Sequence, residues 1–130
     1  MAQPPEIRCE LAVVGAGLCG MAAALFAVNR GLATVQVGGP GELPLTSGLM
    51  DLMGVHPAER GVLWRDPWKA LAALAQDQPE HPLSRVPAEA VAAAFDEVFA
   101  LLADQGLPYR RREVNVDVVT FAGTRKPTFG

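Results

Sequence analysis

A glycine-spaced turn, Gly15-x-Gly17-x-x-Gly20, separates a short apolar run from a longer run rich in Ala and Leu. Cys9 to Val14 (CELAVV) is too short for a helix and ends at a glycine, so it reads as a buried parallel strand. Met21 to Asn29 favours helix, and Arg30-Gly31 stops it. Thr34 to Val37 (TVQV) is a second β-branched strand. Strand, helix, strand is a βαβ unit, whose crossover is right-handed. In that setting each glycine has a task. Gly15 permits the tight turn, Gly17 lets backbone approach a pyrophosphate, and Gly20 lets helix pack on strand. An anionic phosphate then faces unpaired N–H groups at the positive end of the helix. The spacing alone carries little weight; the strand before it, the helix after it and the second strand supply the confirming context.

One element of a dinucleotide site is missing. An acid is expected at the end of the second strand, to bind the adenosine ribose. That place reads Val37-Gly38-Gly39. The nearest acid, Glu42, lies beyond Pro40, and no arginine stands there to suit a 2′-phosphate. Either the ribose anchor is absent, or the ligand is not a standard adenine dinucleotide. A mononucleotide such as FMN needs no such anchor.

Gly38 to Gly61, with repeated Gly and Pro, reads as a functional loop holding a short helix around Gly48 to Met53. Asp66-Pro67 predicts an N-cap and a helix to about Gln78, broken by Pro79-Glu80-His81-Pro82. Pro87 to Gln105 is a second helix, with Val91, Phe95, Val98, Leu101 and Leu102 at helical spacing and Gly106 ending it. Pro108 to Glu113 and Asn115 to Phe121 read as strands, and Lys126 to Gly130 as an extended segment. The fold class is α/β, a Rossmann-like FAD/NAD(P)-binding fold with a parallel sheet, incomplete in this chain. Residues 1–130 read as the N-terminal part of a flavin- or dinucleotide-binding domain: βαβ over 9–37, cofactor loop over 38–61, helical segment over 66–106, strands over 107–121.

Acidic groups number 14 and basic groups 11, for a net charge of −3, which gives no drive toward nucleic acid. Glycines interrupt the apolar stretch from Leu11 to Val28, so no membrane span is expected, and Met1 to Arg8 lacks a signal-peptide pattern. Two cysteines build no disulfide framework, which suits an intracellular chain with reduced thiols. Cys9 is expected in the core and Cys19 as packing in the turn. His56 and His81 lack a ligand cluster, so no metal is expected. Arg110-Arg111-Arg112, on a strand, points its middle residue to the opposite face, with a surface or salt-bridge role.

Val13-Val14-Gly15-Ala16-Gly17 with Leu18-Cys19-Gly20 resembles the start of flavoproteins with two dinucleotide-binding folds. Thr46-Ser47-Gly48-Leu49-Met50-Asp51-Leu52, His81-Pro82-Leu83-Ser84 and Gly123-Thr124-Arg125-Lys126-Pro127-Thr128 follow in order. Together they resemble the N-terminal region of the B-subunit family of anaerobic glycerol-3-phosphate dehydrogenases. The resemblance implies a flavin, FMN or FAD, held at phosphate by Gly15, Ala16, Gly17, Leu18 and Gly20, with Ser47 and Gly48 near phosphate or ring. It assigns no catalytic base. It implies a larger FAD-containing catalytic subunit as partner, and an iron–sulfur subunit that anchors the pair peripherally to the cytoplasmic face of the inner membrane. The implied reaction is oxidation of sn-glycerol 3-phosphate to dihydroxyacetone phosphate, with electrons passed to quinone. Two rivals stand beside it: another FAD-dependent oxidoreductase of the same fold, and a non-catalytic nucleotide-binding or assembly module.

Overall fold

In the computed structural model, which describes residues 6–39, 41 and 45–130, the glycine turn joins β1 (Leu11–Val14) to α1 (Leu18–Asn29). Pro40 and Glu42 lie outside the described residues. β2 (Thr34–Val37) runs parallel to β1, with Leu11 opposite Thr34 and Val14 opposite Val37. The ladder extends past β1, because the Gly15 N–H donates to the Val37 carbonyl at 2.7 Å. The helix begins at Leu18 rather than Met21. The Met21 N–H donates to the Gly17 carbonyl at 2.9 Å, which draws the end of the turn into the first helical turn. Gly31, at φ +76°, ends the helix: its N–H donates to Val28, and that of Leu32 donates to Ala27. Cys9 precedes the strand and is exposed, which corrects its expected place in the core.

These elements form the first of two compact units, Met1–Ser47 and Gly48–Gly130. In the first, Val14 and Val37 on the strands and Leu18, Met21 and Val28 on the helix are exposed. Parallel strands are normally covered on both faces, and a helix apolar on all sides normally lies inside a larger layer structure. The unit is thus a partial parallel sheet of a Rossmann-like α/β fold.

In the second unit, α2 (Pro67–Asp77) starts where the sequence places it. Asp66 Oδ1 accepts from the N–H groups of Trp68 at 3.0 Å and Lys69 at 3.1 Å, and Pro67 occupies the first helical position. Asp66→Ala is expected to lower stability by about 1 kcal/mol. Urea unfolding checks this, as a lower midpoint at unchanged slope. His81-Pro82-Leu83-Ser84 belongs to a 3-10 turn, Pro82–Arg85. His81 Nδ1 accepts from the Leu83 N–H, and Ser84 Oγ donates to the Gln78 carbonyl at 2.8 Å. α3 (Ala88–Asp104) follows, closed by Gly106 at φ +80°.

β3 (Val116–Val119) and β4 (Arg125–Thr128) form an antiparallel hairpin, with Val116 opposite Thr128. Pro108 to Glu113 is not a strand. Among the described residues its backbone makes no ladder; the Arg112 N–H donates to the Phe129 carbonyl at 3.2 Å. The expected alternation of Arg110, Arg111 and Arg112 therefore does not arise, and Arg111 pairs with Asp96 at 3.2 Å. The core holds Ala70, Leu71 and Leu74 of α2, Phe99 of α3, and Phe129. The Phe129 ring meets Trp68 edge-on at 5.6 Å and Phe95 at 5.3 Å. Asn115, buried, donates through Nδ2 to the carbonyls of Met53 and Trp64, tying the loop before α2 to the start of β3.

Candidate phosphate-binding turn

The turn from β1 to α1 has the backbone of an anion cradle. Gly15 sits at φ +113°, where a side chain is strained. Gly17 is the N-cap, with no side-chain capping bond, and no acidic residue lies in the first turn of α1. The amides of Leu18, Cys19 and Gly20, at the head of α1, have no acceptor within the helix. Among the described residues, a Cβ on Gly17 would meet nothing within 4 Å, so none of their atoms fills the space beside these amides. A Cβ on Gly20 would lie 2.2 Å from the Gly15 carbonyl oxygen. The helix therefore approaches the strand as closely as the absence of that side chain allows. Donors without acceptors, the positive helix end and open space together fit a phosphate.

The end of β2 explains the missing acid. Gly38 sits at φ +135°, and a Cβ there would lie 3.1 Å from Gly15 Cα and N. Main chain, not a carboxylate, occupies this position. Gly41 also returns toward the turn, its Cβ position 3.8 Å from Gly17 Cα.

Residues 10–129 match the family described as FAD binding domain. The chain belongs to that family. The match bears on the choice of ligand as well as on the fold. FAD is the cofactor of this family, and the place at the end of β2 where an acid for the adenosine ribose is expected is Gly38 in this chain. The chain is also similar to the B subunit of anaerobic glycerol-3-phosphate dehydrogenase of Vibrio vulnificus (strain YJ016), at 35% identity over 95% of this chain and 28% of that protein. The corresponding dehydrogenase subunit of Vibrio cholerae serotype O1 (strain El Tor Inaba N16961) is 40% identical over 59% of this chain and 17% of that protein. That of Pectobacterium carotovorum (strain PC1) is 35% identical over 74% and 23%. The chain thus spans about 28% of the length of the first of these relatives. No solved structure matches.

Of the site residues expected from sequence, Gly15, Ala16, Gly17, Leu18 and Gly20 stand together in the one turn. Ser47 ends the first unit and Gly48 opens the second. The short helix expected over Gly48 to Met53 is absent. The segment is extended, because Met50 exchanges backbone hydrogen bonds with Gly130 and accepts another from Phe129. Asp51 therefore caps no helix; it pairs with Lys126. A Cβ on Gly54 would lie 2.4 Å from Pro127 Cγ. So the two segments that carry the resemblance most specifically, around 48–52 and 123–128, are neighbours in the second unit. Tyr109 adds a support that sequence reasoning misses. Its hydroxyl donates to the Gly48 carbonyl at 2.5 Å, and its ring stacks on Phe99. Being the chain's one tyrosine is its only signal.

Proposed function

We propose that this chain is the N-terminal part of a flavin-binding subunit of a glycerol-3-phosphate dehydrogenase complex, oxidising sn-glycerol 3-phosphate to dihydroxyacetone phosphate and passing electrons to quinone. The observation that carries it is the open, acid-free glycine turn at the head of α1, in a chain 35% identical to the Vibrio vulnificus dehydrogenase subunit across 95% of its length. Bound FAD supplies a two-electron acceptor for alcohol oxidation that can release electrons one at a time. This chain's residues hold it. The turn of Gly15, Ala16, Gly17, Leu18 and Gly20 receives the pyrophosphate on its main-chain amides. The substrate chemistry falls to a larger FAD-containing subunit, with this chain relaying electrons. An iron–sulfur subunit holds the pair at the cytoplasmic face of the inner membrane; among the described residues no helix is long and apolar enough to cross it.

Gly17→Val tests the cofactor reading. Gly17 lies at φ −75° and ψ −179°, an extended conformation that valine adopts readily, and its Cβ would meet no atom of the described residues within 4 Å. The variant is expected to fold and to lose at least about ten-fold in FAD affinity, since its side chain enters the ligand's space. Visible flavin absorbance after purification reads the outcome, and unchanged flavin content would count against the turn. Quinone-dependent oxidation of glycerol 3-phosphate by the co-purified complex tests the substrate. A flavin-loaded complex inert toward it points to another oxidoreductase of this fold.

A further inference from the structure

Gln36 is an exposed polar residue of β2. It lies between Val35 and Val37, opposite Val13 in the register, on the same face of the strand as Thr34. Its side chain turns toward the glycine turn, where Nε2 donates to the Gly15 carbonyl at 2.9 Å. The same Nε2 lies 3.4 Å from where a Gly20 Cβ would stand, so the glycine in the helix also leaves room for this amide.

β2 thus holds both backbone groups of Gly15: its N–H through the Val37 carbonyl and its carbonyl through Gln36. The consequence lies in the peptide plane that follows. A glycine at φ +113° has no side chain to resist rotation of its neighbouring peptide units. In a trans peptide the carbonyl and the next N–H point in opposite directions. With the Gly15 carbonyl held against β2, the Ala16 N–H is turned away from Gln36. Were the plane to flip, a carbonyl oxygen would stand where the Ala16 N–H now points, and an anion held by that N–H would meet repulsion instead of a hydrogen bond.

We propose that Gln36 is a positioning residue for the phosphate cradle: by holding the Gly15 carbonyl against β2, its carboxamide fixes the Gly15–Ala16 peptide in the orientation that receives the pyrophosphate of FAD. This rests on the reading of the turn as the FAD phosphate site, and it adds a residue outside the glycine motif to that site.

The test uses the full-length protein and FAD titration. Gln36→Met keeps the length of the side chain and removes the donor. It is expected to weaken FAD binding by about three- to tenfold, the scale of one hydrogen bond, while the FAD-free protein stays folded and loses no more stability than that one bond supplies. Gln36→Glu places a carboxylate against the carbonyl oxygen and beside the phosphates. It is expected to bind more weakly than the methionine variant at neutral pH. As pH falls toward the ordinary glutamate range, the carboxyl gains a proton that it can donate to the Gly15 carbonyl, and binding recovers. The wild type and the methionine variant lack that pH dependence. Phosphorus NMR of the bound pyrophosphate is expected to shift in both variants. A methionine variant with wild-type affinity overturns the inference alone, as does a glutamate variant whose loss does not change with pH. A loss that disappears once affinity is referred to the folded fraction of the FAD-free variant makes Gln36 merely structural and overturns the inference. A wild-type protein that takes up no FAD overturns the phosphate reading itself.

Discussion

Gly20→Ala is expected to reduce FAD affinity about ten- to a hundredfold. The added Cβ would stand 2.2 Å from the Gly15 carbonyl oxygen and 2.9 Å from its carbon. Both are backbone atoms, fixed by the β1–β2 ladder and by Gln36, so no flexible side chain can move aside. Separations that favour attraction are about 3.5–4.0 Å, so α1 must withdraw from the strand by more than an ångström. Overpacking of this kind costs about 1–3 kcal/mol. The displacement falls on the helix end whose amides receive the phosphate in the proposed reading, so much of that energy is expected in the bound geometry. Equilibrium FAD binding measures it. Wild-type affinity in the alanine variant would mean that helix and strand are not in this contact.

Phe129→Ala is expected to destabilise the second unit by about 3–5 kcal/mol. Phe129 is wholly buried and edge-packed on Trp68 and Phe95. Its N–H also donates to the Met50 carbonyl, and its carbonyl accepts from Arg112. Truncation leaves a cavity between α2 and α3 beneath the extended 48–54 segment. Chemical denaturation followed by tryptophan fluorescence checks this, because Trp68 reports on the same cluster. A loss below about 1 kcal/mol would mean that the ring is not a core residue.

How legible each part is in the sequence follows from the distance over which its cause acts. α1, α2 and α3 announce their ends through Gly31, Asp66-Pro67 and Gly106, whose effects reach only a turn away. The parallel pair is legible because Thr34–Val37 follows the helix at a spacing only a crossover explains. Gly48 to Met53 reads wrongly as a helix because the partner of Met50 is Gly130, far along the chain. Pro108 to Glu113 reads wrongly as a strand because its composition allows one while no neighbouring strand supplies the bonds.

The glycine turn is written into residues 9–37, since backbone conformation there depends on which positions lack a Cβ, and that is a property of the sequence alone. The parts that hold the turn and the 48–54 segment in place are not. Gln36 reaches a carbonyl 21 residues away and Tyr109 one 61 residues away. Such bonds leave no periodicity or spacing behind; they exist only because folding brings a donor and an acceptor within about 3 Å, and only the tertiary structure decides which donors those are.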